Sequence, residues 1–306
     1  MRGMQLSGAE LISVDHNYGR YLGELVKTFE ENSDLQPDFG ASHGHIIFHL
    51  PEQDITLQIG HGAYLAVAAG LPGVCDFRTL DIALGGQGAP LVPIGDELLF
   101  KDHDFCLHLG GIANISFAAG GMRVAYDICA CKMLPNTLAN QLNLPYDQDG
   151  AIARSGKLSL ELLQKLNSAG YFQASYPKSL RKEWIDENSL ALLNQSGLPV
   201  ADKLQTACHH MAAQIAASIK NIVTSATQPS LLVTGGGAFN SYLIQLIREA
   251  VGPAVAVIVP EPELINFKEA LIFAFMGVLR WEQRPNCLRS VTGARQDNVG
   301  GAIYWR

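Results

Sequence analysis

The sequence has few charged residues and no run of basic ones. Charged side chains make up 17% of the 306 residues, and the formal net charge is −7. Globular domains average about 25% charged residues, so this composition excludes a long acidic or disordered tail. Without a basic run, neither nucleic acid nor an anionic membrane surface is an expected partner.

Long apolar runs are also missing. The longest, such as residues 271–279, are too short to span a bilayer, and the N-terminal residues lack the pattern of a secretory signal. The six cysteines are scattered, so we expect reduced thiols and a cytoplasmic protein. Cys129 and Cys131 are closer in sequence than the paired cysteines of zinc sites, and no metal site is predicted.

Hydrophobic spacing predicts an α/β fold, because short strands alternate with helices. Residues 11–14 are predicted as a strand and residues 18–31 as a helix. Residues 105–126 are predicted as a three-stranded meander that begins with a glycine-rich hairpin. Residues 204–223 have the strongest helical pattern, and a buried strand at residues 231–234 follows.

The first glycine-rich turn of interest joins two strands of the meander at Gly110 and Gly111. A tight glycine hairpin exposes backbone N–H groups that can converge on a phosphate. Asn114, just beyond it, can bind the phosphate or a metal-bound water. A plain β-turn explains the same residues, and glycine-rich hairpins of that kind are common.

The second turn contains Gly235, Gly236 and Gly237 and is followed by Asn240. It lies at the carboxyl end of a predicted strand, where α/β proteins usually place their ligands. The spacing is not that of the dinucleotide-binding motif, so both a nucleotide contact and a structural turn stay open.

Three further side chains can carry chemistry. Asp127 ends the predicted meander and suits a general base, a ligand of a metal-bound water or a helix N-cap. His43 and Arg78 can donate hydrogen bonds to sugar hydroxyls or a carboxylate, although structural roles are more common for such residues. The serine hydrolase motif G-x-S-x-G is absent.

Several longer segments occur in a fixed order from residue 41 to residue 294, and DIALGGQGAPLVP is the most specific of them. Together they resemble the anhydro-N-acetylmuramic acid kinase family. The segments are ASHGH (41–45), TLQIG (56–60), DFRTLDIALGGQGAPLVP (76–93), GGIANIS (110–116), YDQDG (146–150), PKS (177–179), TGGGAFN (234–240), KEALIFAFMG (268–277) and SVTGA (290–294).

This resemblance implies the two-lobed ATPase fold of actin and the sugar kinases, which is ribonuclease-H-like, with ATP between the lobes. Residues 1–104, with part of the C-terminal segment, would form the lobe on the sugar side. Residues 105–306 would form the lobe with the phosphate hairpin and the adenosine loop. The implied protein is a cytoplasmic homodimer. Its activity in peptidoglycan recycling would be to open the 1,6-anhydro ring of the amino sugar with water and to phosphorylate O6.

The resemblance also implies residue roles. Asp127 would be the base that takes a proton from water, and Mg²⁺ would neutralise charge on ATP. The other residues fall into two implied groups: Gly110, Gly111 and Asn114 at the phosphates with Gly235, Gly236, Gly237 and Asn240 at the adenosine, and His43, Arg78, Gln87 and Glu269 at the sugar.

Two segments depart from the family pattern. The first phosphate loop of the family is not found, so we expect an incomplete N-terminal lobe. After Asp127 the family has TGPGN, whereas this sequence has ICACK at residues 128–132. Lys132 therefore stands in place of an asparagine, and we expect its ammonium near the γ-phosphate or near Asp127.

These departures leave three interpretations. The protein is an active sugar kinase, or it is an impaired relative that binds a sugar or nucleotide, or the gene start is placed too late and the true chain is longer.

Overall fold

The computed structural model describes residues 6–222 and 226–306. Residues 1–5 belong to the segment in which no secretory signal is predicted, and they lie outside the described residues. Residue 223, the predicted end of a helix, also lies outside them. Within the two described ranges, no helix combines the length and the apolar character needed to cross a membrane.

The strands of the described chain are β1 (Gly40–Ala41), β2 (His45–Leu50), β3 (Ile55–Ile59), β4 (Gly73–Cys75), β5 (Phe105–Leu109), β6 (Ile112–Ala119), β7 (Met122–Ala130), β8 (Ser230–Thr234), β9 (Ala256–Ile258) and β10 (Ala302–Tyr304).

The helices are α1 (Gly8–Glu31), α2 (Gly62–Ala69), α3 (Thr79–Ala83), α4 (Pro93–Leu98), α5 (Met133–Asn140), α6 (Ala151–Ser155), α7 (Leu160–Asn167), α8 (Lys182–Ile185), α9 (Ala191–Gln195), α10 (Val200–Lys220), α11 (Ser241–Val251), α12 (Pro262–Trp281) and α13 (Arg289–Thr292).

The chain divides into two compact units. The first contains residues 1–99 and 269–306, and the second contains residues 100–268. The C-terminal segment therefore joins the N-terminal one, and α12 contains the second division point. The expected lobes at residues 1–104 and 105–306 were defined by the ligand each would bind. That assignment of ligands to lobes stays a prediction.

The first unit begins with α1, which packs on α2. Ser7 and Glu10 cap α1 reciprocally, with the Ser7 N–H donating to the Glu10 carboxylate at 2.8 Å. A Cβ on Gly19 would lie 2.5 Å from the His61 carbonyl oxygen, so only glycine permits this close approach. The strand predicted at residues 11–14 is wrong, because those residues belong to α1.

The other elements of the first unit form two small sheets. The strands β1, β4 and β10 form one sheet, with β4 in the centre, and β2 and β3 form an antiparallel hairpin. The helices α3, α4 and α13 also belong to this unit.

The second unit is built on a five-stranded sheet of order β7-β6-β5-β8-β9. The strands β5, β6 and β7 form the predicted antiparallel meander, and β8 and β9 run parallel to β5. With the helices of this unit, the sheet makes an α/β structure. The predicted fold class is thus confirmed.

The core of the second unit explains this sheet. On β5, Phe105, Leu107 and Leu109 alternate onto one buried face, and their register partners on β6 include Phe117 and Ile115. The helix α10 adds an apolar stripe at every third or fourth position to the same cluster, as the sequence predicted. Its buried members include Leu204, Cys208, Met211, Ile215 and Ile219.

Candidate functional site

A row of polar residues crosses the sheet of the second unit. Asp127 on β7 lies opposite Asn114 on β6, which lies opposite His108 on β5. Residues directly opposite each other in neighbouring strands project from the same face. His108 also lies opposite Thr234, at the end of β8. The sheet thus brings together two predicted residues and one that the sequence analysis missed, His108.

A β-bulge sets this row. Ala113 pairs with Cys129 and Asn114 pairs with Asp127, so Ile128 is an extra residue on β7. Such bulges redirect side chains and are common beside active sites. Asp127 therefore lies inside β7 and not at a helix start, and the alternative that it is an N-cap is wrong.

Asp127 is half-buried among backbone and side-chain donors. Its carboxylate Oδ2 accepts a hydrogen bond from the Leu180 N–H at 2.9 Å, and its carbonyl accepts one from the Tyr171 hydroxyl. Burial raises the pKa of Asp127, and the Leu180 N–H partly opposes this rise. A carboxyl group with a raised pKa is a stronger base than an ordinary aspartate.

The hairpin at Gly110 and Gly111 is fixed by the start of α5. The Lys132 N–H donates to the Gly110 carbonyl at 3.0 Å, and the Cys131 N–H donates to the Gly111 carbonyl at 2.9 Å. In a trans peptide the C=O and N–H groups point in opposite directions. The N–H groups that follow these carbonyls therefore point away from α5, as an anion site requires.

The His108 ring contacts both glycine turns. A Cβ on Gly110 would lie 3.0 Å from its Nε2, and a Cβ on Gly235 would lie 2.9 Å from its Cε1. Gly235 also has φ +79°, which glycine adopts without strain. The imidazole thus fills the space between the hairpin and the Gly235 turn. Its signal in the sequence was a polar residue inside an otherwise apolar strand.

A cavity of about 460 Å³ opens beside the second turn, within the size range of ligand pockets. Four predicted residues line it: Gly236, Gly237, Asn240 and Lys132. Its other lining residues are Cys131, Pro135, Asn136, Tyr146, Asp147, Gln148, Asp149, Met211, Phe239 and Leu243. Gly235, which belongs to the same turn, lies against His108 instead.

Lys132 and Asn240 have defined positions at the cavity. A Cβ on Gly236 would lie 2.7 Å from the Lys132 Nζ, so the ammonium lies against the glycine turn. Asn240 caps α11, because its Oδ1 accepts the Leu243 N–H at 2.9 Å.

The carboxylates of the cavity are bound to backbone groups. Asp147 accepts the N–H groups of Ile152 and Ala153 at 2.8 and 2.9 Å. Asp149 accepts the Ser241 N–H at 2.8 Å, and hydrogen bonds from Ser241 lower its pKa. Both negative charges are therefore already stabilised by the protein.

In the first unit, the side chains of His43 and Arg78 are hydrogen-bonded to each other. The Arg78 Nε and Nη2 lie 2.9 and 2.8 Å from the His43 Nε2. This nitrogen must accept, so His43 is neutral and its Nδ1 donates to the Gly44 carbonyl at 3.1 Å. Burial and the Arg78 charge lower the pKa of His43, whereas the charge of Glu269 raises it.

Glu269 and Gln87 complete the residues predicted for the sugar. Burial lowers the pKa of Arg78 to about 10 despite the nearby Glu269, so Glu269 lies within electrostatic reach of His43 and Arg78. Gln87 is exposed on the loop after α3, where its N–H donates to the Thr292 carbonyl at 2.8 Å. Arg78 also donates to Gly88 in that loop.

Asp81, which the sequence analysis did not single out, organises this loop. It is fully buried. Its Oδ2 accepts the Gly88 N–H at 2.8 Å, and its Oδ1 accepts from Thr292 and Asn298, also at 2.8 Å. The aspartate in the segment DIALGGQGAP was the available signal.

The described chain is similar to one family over almost its whole length. The family model for anhydro-N-acetylmuramic acid kinase matches residues 4–306. A protein of that name from Coxiella burnetii (strain RSA 493 / Nine Mile phase I) is 34% identical over 302 residues, which cover 94% of this chain and 80% of the relative. Others come from Pseudomonas syringae pv. syringae (34%, covering 99% and 86%) and Gloeobacter violaceus (35%, covering 83% and 71%).

Similarity to solved structures is weaker. The activator of the 2-hydroxyisocaproyl-CoA dehydratase from Clostridium difficile with bound ADPNP covers 63% of this chain and 66% of its own, with 14% identity and a TM-score of 0.39. The ethanolamine utilization protein EutJ from Carboxydothermus hydrogenoformans covers 82% and 72%, with 14% identity and a TM-score of 0.40.

Proposed function

The chain belongs to the anhydro-N-acetylmuramic acid kinase family, and on that premise we propose that it is an ATP-dependent sugar kinase. Water adds to the anomeric carbon of 1,6-anhydro-N-acetylmuramic acid while the bond from that carbon to O6 breaks. O6 takes the γ-phosphoryl group of ATP, and ADP leaves. The alternative is a relative that binds the sugar or the nucleotide without turning them over.

The position of Asp127 is the observation that carries this proposal. Asp127 takes one proton from the attacking water, and the remaining hydroxyl becomes part of the sugar. Its raised pKa supports this role, because proton transfer is most efficient when the pKa of the base lies closer to the working pH. The bulge at Ile128 and the Leu180 N–H fix the carboxylate.

The two glycine turns are the proposed ATP site. The N–H groups beyond the Gly110–Gly111 carbonyls, together with Asn114, bind phosphate oxygens. Gly236, Gly237 and Asn240 contact the adenosine in the cavity, with Gly235 held against His108. The cavity has both apolar and polar lining residues, as a nucleoside requires.

The described residues include no ready-made cage of protein ligands that would hold a Mg²⁺ ion without the nucleotide. Mg²⁺ is usually bound by one or two carboxylates together with substrate phosphates. Asp147 and Asp149 already accept backbone N–H groups. In the described part of the chain, no three histidine, cysteine or acidic side chains cluster as a metal site. Mg²⁺ carried by ATP stays a prediction.

The sugar is proposed to bind His43, Arg78, Gln87 and Glu269 of the first unit. The bond between His43 and Arg78 fixes both side chains, and Asp81 holds the loop that carries Gln87. Fixed donors bind sugar hydroxyls at a lower entropic cost than mobile ones. We also propose a cytoplasmic homodimer, and light scattering that shows a monomer would contradict the dimer.

Asp127→Asn tests the function. We expect ADP release from ATP and 1,6-anhydro-N-acetylmuramic acid to fall about 10²- to 10⁴-fold, the range of a lost general base. Calorimetry of both ligands is the control, since the amide is nearly isosteric and binding is expected to survive. Wild-type binding without turnover would instead favour the binding protein.

A further inference from the structure

The cavity of the second unit contains a single basic side chain among its described lining residues, Lys132. The acidic lining residues, Asp147 and Asp149, each accept backbone N–H groups. Among the described lining residues, Lys132 is therefore the side chain whose charge attracts an anionic ligand.

A hydrogen bond to the hairpin fixes the backbone of Lys132, and its ammonium lies beside the second glycine turn. Its backbone N–H donates to the Gly110 carbonyl at 3.0 Å, and its Nζ lies 2.7 Å from the position of a Cβ on Gly236. The residue is half-buried, and partial removal from water strengthens its interaction with an anion. Its ammonium thus lies where the hairpin and the second glycine turn meet.

This position differs from one of the two expected for Lys132. We expected the ammonium near the γ-phosphate or near Asp127. Asp127 lies on β7, whereas the Lys132 Nζ lies beside Gly236 after β8, and β6 and β5 stand between those two strands in the sheet. The ammonium instead borders the cavity proposed for the nucleotide.

We propose that Lys132 is a built-in cation for the phosphate chain of the nucleotide, so that this chain binds ADP and ATP without a divalent metal. The inference rests on the proposed nucleotide site. An ammonium presents three donors and a full charge to phosphate oxygens. The carboxylates that line the same cavity, Asp147 and Asp149, are bound to backbone N–H groups, and the protein supplies a lysine beside them.

Calorimetric titration with adenosine, ADP and ATP tests the inference, with each ligand measured in EDTA and in Mg²⁺. For the wild type we expect ADP and ATP affinities that differ less than about threefold between the two conditions. In EDTA, Lys132→Gln is expected to weaken ATP binding by about ten- to a hundredfold, the scale of a hydrogen bond to a charged group. Adenosine, which lacks phosphate, is expected to bind both proteins equally.

Two matched variants accompany the test. Lys165→Gln removes a lysine from the exposed pair with Glu161 and is expected to leave all affinities unchanged. Lys132→Arg keeps the charge and is expected to recover part of the ATP affinity, which a purely structural role of the lysine would not predict.

The outcomes distinguish a failure of metal-free binding from a failure of the nucleotide site itself. Loss of wild-type ATP binding in EDTA, with binding restored by Mg²⁺, overturns the inference and leaves the nucleotide site in place. Equal ATP affinity of Lys132→Gln and the wild type does the same. If the wild type binds neither adenosine nor ATP under any condition, both the inference and the proposed nucleotide site are wrong.

Discussion

The two units hold their candidate residues by different means. In the first unit, side chains are held by hydrogen bonds to other side chains, such as the one that Arg78 donates to His43. In the second unit, a bulge and two glycine turns position the residues through the backbone. A site held by hydrogen bonds between side chains needs every one of those side chains. A site positioned by the backbone instead needs glycine at the positions where a larger side chain would not fit. Substitutions at the two kinds of position therefore test this comparison.

The largest effect is expected for Asp81→Ala in the first unit. The change leaves the Gly88 N–H, Thr292 and Asn298 without their shared acceptor inside a buried region. We expect a loss of about 3 to 5 kcal/mol in the free energy of unfolding, since each buried unsatisfied group costs about 1 to 3 kcal/mol. Hydrogen exchange measures this as lost protection in the first unit.

The exposed Asp34→Ala is the control for Asp81→Ala, and we expect a change within about 0.5 kcal/mol. The amides of α10 report on the second unit in the same experiment. An equal loss of protection in α10 would contradict the view that the Asp81 network supports the first unit alone.

The second prediction concerns acid and the second unit. His210 is fully buried on α10, its Nδ1 lies 2.7 Å from the Asn167 Oδ1, and burial lowers its pKa to about 4. The unfolded histidine titrates near 6.5. Because the unfolded state binds the proton first, this contribution to stability is complete above pH 6.5 and is lost as the pH falls toward 4. We expect a loss of about 3 kcal/mol at pH 4.

Urea unfolding at several pH values, followed through Trp184 in a Trp281→Phe/Trp305→Phe background, measures this loss. Trp184 packs on Phe172, whose ring centroid lies 5.0 Å from that of His210. His210→Gln is expected to flatten the pH dependence between 6.5 and 4, whereas the exposed His45→Gln is not. An unchanged slope in His210→Gln would place the acid-sensitive group elsewhere.

The sequence predicted the backbone-built site better than the side-chain-built one. Glycine pairs indicate hairpins and alternating apolar residues indicate strands from local sequence alone. The meander and both turns are therefore predicted correctly. The strand predicted at residues 11–14 was wrong because the capping residues Ser7 and Glu10, a helix-start signal, were not used. Asp127 was placed at a strand end because the sequence does not reveal the bulge at Ile128.

The network around Asp81 could not be predicted from local pattern. Its partners Thr292 and Asn298 lie more than 200 positions away in sequence, and no periodicity connects them to Asp81. His108 was missed for a related reason. Its ring lies between Gly110 and Gly235, and those two glycines come together only in the folded chain. The roles suggested for Gln87 and Glu269 come from family resemblance alone, whereas those of His43 and Arg78 also follow from the donors their side chains carry.

The smallest effect is expected at a glycine of the backbone-built site, Gly235→Ala. Gly120 is the matched control, because it also has positive φ but a Cβ there would meet nothing within 4 Å. Gly120→Ala is expected to cost about 1 kcal/mol of stability for the backbone strain alone. Gly235→Ala is expected to cost about 1 to 2 kcal/mol more, because its Cβ would lie 2.9 Å from His108 and from the Leu109 carbonyl oxygen.

A double-mutant cycle separates strain from collision. Adding His108→Ala to Gly235→Ala removes the ring but leaves the Leu109 carbonyl, so we expect recovery of part of the excess cost and none of the strain. Urea unfolding gives the energies, and ATP titration is expected to show weaker binding for Gly235→Ala but not for Gly120→Ala. Equal energies for the two alanine variants would mean that the His108 ring and the Leu109 carbonyl both move aside at no cost. Gly235 would then be required only for its positive φ. The difference between the two units would depend on the bulge at Ile128 and the hairpin at Gly110 and Gly111.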